Sequence, residues 1–263
     1  MGTRVKDPWE LQVMRQSAKR LAEVSEVLRE AVKPGVCTAE LNEIAHKAMR
    51  DRGGVPSFLG YTAGGDVPFP GVICASPNDV VVHGLPTETP LEEGDIISLD
   101  MGLVYGGYHS DHAFTIGVGA IAPDVQALLD ATEASLFAGM RAAVAGNRIG
   151  DIGHAIESRI APHGYGIVRD YVGHGIGRAL HERPSVPNYG EPRQGQLLKE
   201  GFCLAIEPMV NLGGDDTKAL PDGWTVVTRD GSRSAHFEHT VAITNRGPEV
   251  LTTLRDGVRM LEA

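Results

Sequence analysis

The chain has 263 residues and a formal net charge of −10, from 24 Lys+Arg against 34 Asp+Glu. Hydrophobic residues at 42% and charged residues at 22% are an ordinary globular balance and exclude a disordered chain. The acidic surplus argues against non-specific binding of nucleic acid or an anionic membrane surface, and no apolar run approaches the length of a membrane span. The start, Met1 to Asp7, lacks the apolar core of a signal peptide. Cys37, Cys74 and Cys203 are too few and too scattered for a disulfide framework or a zinc motif, so a reducing cytoplasm is the expected compartment. Ten His beside 34 acidic residues leave room for a metal site of carboxylates and imidazoles.

The first predicted element is a helix. Asp7 suits the N-cap, Pro8 the first helical position and Glu10 the third. Leu11, Met14, Ala18, Leu21, Val24 and Leu28 then recur at helical spacing to about Ala31. A second helix is expected over about 38–50, followed by a Gly- and Pro-rich loop over 60–71. β-like stretches near 72–75, 95–104 and 108–118 come next. Helices over about 123–144 and 150–162 follow, then strand-like segments at 168–173, 202–210, 223–228 and 236–244.

This order repeats. Pro34-Gly35 before one helix matches Ala145-Gly146 before another. Leu91-Glu92-Glu93-Gly94 before a strand reaching Asp100 resembles Leu198-Lys199-Glu200-Gly201 before one reaching Glu207. Asp111-His112 resembles Glu238-His239. The period is too long for a solenoid. It predicts an α+β domain of two pseudo-symmetric halves, each bringing two carboxylates from strands to a shared centre.

A hairpin turning between Tyr105 and Gly106 would set Asp100 directly opposite Asp111. Two facing carboxylates repel, and a metal ion removes that penalty. Glu207 ends the apolar run Phe202–Ile206 and needs a partner there. Alternation along 236–244 puts His236, Glu238 and Thr240 on one face. Tyr171-Val172-Gly173-His174-Gly175 encloses a histidine between glycines, which allow close backbone approach. His83 and His181 stand nearby in motif-like surroundings. His46, His109, His112, His154, His163, His236 and His239 are read as ordinary core or surface residues.

These motifs resemble those of the type I methionine aminopeptidases, in the short form without an N-terminal zinc-binding extension. The resemblance runs from about Trp9 to Thr252. It rests on ICASPNDVVVHGLP at 73–86, GDIISLDMG at 94–102, Asp111, YVGHGIG at 171–177, AIEPMV at 205–210, DGWTVVT at 222–228 and SAHFEHT at 234–240. It implies the pita-bread (creatinase/aminopeptidase) fold, two related halves around a central antiparallel sheet, as one catalytic domain over 1–263. It implies a methionyl aminopeptidase, a metallo-exopeptidase that hydrolyses the N-terminal Met from peptides and nascent chains with a water bridging two metals.

By the same resemblance, Asp100, Asp111, His174, Glu207 and Glu238 are metal ligands, with Asp111 and Glu238 bridging. Four carboxylates against two divalent cations balance in charge. One imidazole among oxygen ligands suits Co, Mn, Fe or Zn. Glu207 would also be the general base. His181 would donate to the carbonyl oxygen and His83 would contact the scissile nitrogen. Phe69, Cys74, Leu180 and Trp224 would line the methionine slot. Backbone carbonyls at Asn78 and Ser234 match a monovalent-cation position of some members. The implied setting is a cytoplasmic monomer in transient contact with the ribosome, with no nucleic-acid specificity and no membrane.

Two alternatives are an Xaa-Pro-type aminopeptidase or dipeptidase of the same fold, and a metal-free binding paralogue. The first usually carries an extra N-terminal domain, for which a helix starting by residue 8 leaves no room. The intact ligand positions argue against the second. The chain departs from the family pattern between Gly60 and Phe69, where the text is longer and Thr62 replaces an expected His. Leu180 stands where an aromatic is usual.

Overall fold

The computed structural model describes residues 3–62, 64–257 and 261. Met1 and Gly2 of the start, and Ala63 of the 60–71 loop, lie outside the described residues. Helix α1 spans Pro8–Ala31 and opens with a capping box: Asp7 Oδ1 accepts from Glu10 N at 2.8 Å and Glu10 Oε2 from Asp7 N at 3.0 Å. Helix α2 covers Thr38–Asp51, α3 Pro123–Ala142 and α4 Ile149–Ile160. Among the described residues, no helix is long and apolar enough to cross a membrane.

Among the described residues the centre is a nine-stranded antiparallel sheet. Its main path runs Val55–Pro56, Ile96–Tyr105, Tyr108–Gly117, Glu238–Thr244, Cys203–Ile206, Gly173–Gly175 and Glu182–Val186. Ile73–Pro77 also pairs with Ile96–Tyr105, and Gly247–Val250 with Glu238–Thr244. One continuous apolar cluster joins Leu21 and Leu28 of α1, Met49 of α2, Leu128 of α3 and Ile156 of α4 to Leu99, Leu204 and Val241 of the sheet. Leu21 and Leu99 have no exposed surface, so truncating either to Ala would cost about 2–5 kcal/mol. Arg15 of α1 clamps Glu249 with two hydrogen bonds of 2.8 Å, tying the first helix to the last strand.

The hairpin register differs from the sequence expectation. Tyr105 pairs with Tyr108, so the turn residues are Gly106 and Gly107, with φ of 59° and 80°. A two-residue turn with both central residues left-handed matches the strand twist, and glycine adopts it without strain. Asp100 therefore pairs with Ala113, and Asp111 with Gly102. The carboxylates are diagonal neighbours on one face instead of direct partners.

The expected strands at 202–210 and 236–244 are each cut in two. Cys203–Ile206 belongs to the large sheet, whereas Met209–Asn211 pairs with Ser234–His236 and Gly166–Ile167 in a smaller one. Pro208 has no N–H with which to continue the ladder. The second strand breaks at Phe237, whose N–H bonds Pro208 O at 3.3 Å, so the two breaks lie side by side. The strand expected at 168–173 is resolved into Gly166–Ile167 and Gly173–Gly175, with non-strand chain between. Val226–Thr228 is the strand of the 223–228 segment, sandwiched between Val80–Val82 and Thr217–Ala219. Of those two neighbours, Val80–Val82 is a run of β-branched residues, while Thr217–Ala219 carries no distinct sequence signal.

Candidate active site

Asp100, Asp111, His174, Glu207 and Glu238 line one cavity of about 170 Å3, together with His83, His181, Phe69, Cys74, Leu180 and Trp224. The structure thus places these eleven side chains around one space. Asp100 and Asp111 sit within uninterrupted strands of the first half. Glu207 and Glu238 stand at the paired strand breaks of the second, where the chain passes from one sheet to the other.

His174 is fixed on both sides. A Cβ on Gly173 would strike the carbonyl oxygen of Ala205, and one on Gly175 that of Arg183. Only glycine allows the three strands to approach so closely around the imidazole. His174 Nδ1 donates to Gly175 O at 2.9 Å, which leaves Nε2 as a lone pair facing the carboxylates. That nitrogen lies 3.6 Å from Glu207 Oε1 and 3.8 Å from Asp111 Oδ2, beyond hydrogen-bond length. Asp111, His174 and Glu238 each offer a ligand atom within 4.8 Å of the others.

The floor is electrostatically unfinished as protein alone. Asp100 Oδ1, Asp111 Oδ1 and Glu238 Oε1 are buried without a hydrogen-bond partner among the described residues. Burial pushes all four carboxyls up: Asp100 to about 7, Glu207 to about 8, Asp111 and Glu238 well above the usual range. Neighbouring carboxylates add to the rise at Asp100, Asp111 and Glu238. Burial holds His174 down at about 3, so the ring is neutral. Buried carboxylates with idle oxygens beside a neutral imidazole lone pair are a donor set for a divalent cation, and these residues fit one.

Supports lie behind the ligands. Asn188, fully buried, donates through Nδ2 to Glu207 O at 3.1 Å. His112 Nδ1 donates to Glu238 O at 2.6 Å, and its ring stacks on His239 at 4.6 Å. Thr240 Oγ1 accepts from Asp111 N and donates to Asp111 O. Across the cavity, Phe69 packs edge-on against Trp224 at 5.2 Å and against Phe58 at 6.4 Å. Burial and nearby carboxylates push the Cys74 thiol well up, so it stays protonated and acts as an apolar contact.

His83 has a left-handed φ of 59°, an uncommon state for a side-chain-bearing residue and one enriched at functional sites. Burial lowers its pKa to about 4. His181 stands at the mouth, with its ring 4.2 Å from that of His174. Its pKa is lowered by the desolvating wall. Asn78 O accepts from Ser234 N at 2.9 Å, so those two positions are adjacent as well.

Sequence reasoning passed over His236. Its Nε2 is buried without a hydrogen-bond partner among the described residues, 3.6 Å from Glu207 Oε2; its place two residues before Glu238 was the available signal. It also passed over Phe58, Tyr61, Tyr171, Val172 and Met209, which line the cavity but are ordinary apolar or aromatic residues in the text.

A curled antiparallel sheet around a buried carboxylate–imidazole floor defines a metal-dependent hydrolase of the pita-bread fold. Within that class, the chain belongs to metallopeptidase family M24, which it matches over residues 12–245. Methionine aminopeptidase 1 of Bacillus subtilis is 47% identical over 247 residues, 94% of this chain and 98% of that one. Methionine aminopeptidase 1 of Mycobacterium tuberculosis is 48% identical over 250 residues, 92% of each chain. The crystal structure of methionine aminopeptidase from Rickettsia prowazekii superposes with a TM-score of 0.92 at 39% identity, covering 95% of this chain and 100% of that one. A prolidase from Pyrococcus furiosus shares the fold at a TM-score of 0.74 and 22% identity.

Proposed function

We propose that this chain is a methionine aminopeptidase, a metal-dependent exopeptidase that hydrolyses the first peptide bond after an N-terminal methionine. The observation that carries the reading is the meeting, in one cavity, of a buried carboxylate–His174 floor with an apolar wall of Phe69, Cys74 and Trp224. Asp100, Asp111, His174, Glu207 and Glu238 would hold two divalent ions, whose charge matches the four carboxylates. Bound there, such ions supply Lewis acidity, acidifying water and polarising a carbonyl.

The rest falls to side chains. The wall of Phe69, Cys74, Leu180 and Trp224 takes the methionine side chain and excludes water around it. Glu207 accepts the proton of the attacking water and passes it on. His181 donates an N–H to the carbonyl oxygen as negative charge develops there. His83 contacts the scissile nitrogen and assists its departure as an amine. A floor rich in carboxylates favours a substrate's free amino terminus, which accounts for exopeptidase action.

The identity of 47% to a named methionine aminopeptidase, against 22% to a prolidase, favours this reading over an Xaa-Pro enzyme. The idle carboxylate oxygens disfavour a metal-free binding paralogue. We read residues 1–263 as one catalytic domain, a monomer acting on peptides and nascent chains with transient ribosome contact. Three free cysteines suit a cytoplasmic setting, and a monovalent cation at the Asn78 and Ser234 carbonyls completes the proposed cofactors. The test is a panel of Met-Ala-Ser, Leu-Ala-Ser and Xaa-Pro dipeptides, assayed with Co, Mn, Fe or Zn added and after chelation. Selective release of Met that chelation abolishes supports the reading; preferred cleavage of Xaa-Pro, or chelator-resistant activity, overturns it.

A further inference from the structure

Tyr61 immediately precedes Thr62, where this chain departs from its family's text. Its hydroxyl lies 2.6 Å from His181 Nδ1, and the two rings are 5.3 Å apart at 51°. We propose that Tyr61 is a positioning residue whose O–H donates to His181 Nδ1 and so holds the imidazole with its proton on Nε2. The proposal deepens the reading above, since it rests on His181 acting as donor to the scissile carbonyl.

A neutral imidazole has one N–H and one lone pair, and the hydrogen bond at one nitrogen decides which is which. A phenol can donate or accept. Were Tyr61 to accept, the proton would sit on Nδ1, and Nε2 would turn a lone pair toward an oxygen gaining negative charge. With the phenol donating, Nδ1 is occupied and Nε2–H is the group left for substrate. One hydrogen bond then sets both the tautomer and the plane of the ring.

Both partners are anchored independently, so the contact is a constraint. Gly60 N donates to Phe69 O at 2.9 Å, Phe69 N to Tyr61 O at 2.8 Å, and Tyr61 N to Phe58 O at 2.9 Å. These bonds close the neck of the 62–68 excursion, so Tyr61 and Phe69 belong to the scaffold and the added length lies beyond them. On the other side, Glu182 Oε1 accepts from Arg178 N at 2.8 Å and from Ala179 N at 3.3 Å, fixing the turn that carries His181. Glu182 Oε2 takes Lys6 Nζ at 2.8 Å, on a lysine side chain only 1% exposed. The neck therefore preserves the Tyr61–His181 bond whatever the length of the excursion.

The test uses the full chain, zinc-loaded and labelled with 15N-histidine. Long-range 1H–15N spectra report the tautomer of His181, assigned by the signals lost in His181→Asn. The expected native result is the Nε2–H form. Tyr61→Phe keeps the ring and removes the donor. It should give a mixed tautomer and lower kcat on Met-Ala-Ser by about three- to tenfold, the effect of one ordinary hydrogen bond, with KM and bound zinc within about twofold. A native Nδ1–H form overturns the proposal, as does a Tyr61→Phe protein with native tautomer and kcat. The native spectrum decides the matter even if the variant fails to fold. Because that spectrum needs no turnover, a wild-type protein inactive on Met peptides would sink the functional reading separately.

Discussion

Asp100, Asp111, Glu207 and Glu238 are supplied by strands or strand ends and lie at the bottom of the cavity, whereas Tyr61, His181 and Trp224 come from loops at its mouth. The first set is acidic, and three of its oxygens lack a partner among the described residues. The second set is neutral, and its polar atoms are largely satisfied within the protein: Tyr61 on His181, and Trp224 Nε1 on Val67 O at 3.1 Å. The floor thus depends on something the chain does not provide. The rim needs nothing external, so its loops can change length without disturbing the floor. Damage to the floor should therefore abolish function and alter the metal-free protein's stability, while changes to the rim should grade rate and selectivity.

The largest effect is expected from Glu207→Ala, which removes a ligand and the proposed base together. Activity should fall to background and metal content should drop, as measured by elemental analysis after dialysis. Full metal occupancy in that variant would break the assignment of Glu207 to the floor. His181→Ala should lower kcat by about 10²–10³, as for loss of one oxyanion donor, with metal content unchanged. Near-native turnover would remove His181 from the chemistry and leave it as rim packing.

A smaller effect concerns stability against pH. Asp100 is pushed up to about 7 and Glu207 to about 8 in the metal-free fold. Their unfolded pKa values are near 4, so above that the native state binds more protons and stability falls as pH rises. The neutral buried histidines, such as His174 held at about 3, act oppositely, but only up to the unfolded histidine pKa of about 6.5. Between about pH 7 and 8, where the unfolded histidines have given up most of their protons, the carboxyls outweigh them. The melting temperature of metal-free protein should decline across that window, and metal should flatten the decline. Parallel curves with and without metal would contradict the unfinished floor.

The smallest effect belongs to the 62–68 excursion. Shortening it to the family length removes the Trp224–Val67 bond and should shift kcat/KM ratios across a Met-Xaa-Ser series by roughly two- to tenfold, leaving metal affinity alone. Identical ratios before and after would mean the excursion is a tolerated surface insertion.

The sequence carried the floor well because its signals are local. Asp7, Pro8 and Glu10 announce α1, and the glycines around His174 announce a crowded strand crossing. The Asp100–Asp111 register was misread by two residues because either of two turns fits Tyr105-Gly106-Gly107, and only the backbone shows that both glycines are left-handed. The strand breaks at Glu207 and Phe237 were hidden because strand-like text lies on both sides of each, although Pro208 gave a hint. Tyr61 was invisible for a different reason. Its partner lies 120 residues away, and no spacing rule reaches that far.

The order of strands in the sheet has a kinetic consequence. Glu238–Thr244, made after both of its neighbours, inserts between Tyr108–Gly117 and Cys203–Ile206, in the middle of the sheet. Until it is synthesised, the hairpin of 96–117 has an edge with unpaired N–H and C=O groups. Pairings of such long sequence separation form slowly, and an open apolar edge in the interval invites association with other chains. Slowing translation ahead of residue 238 would lengthen that exposure.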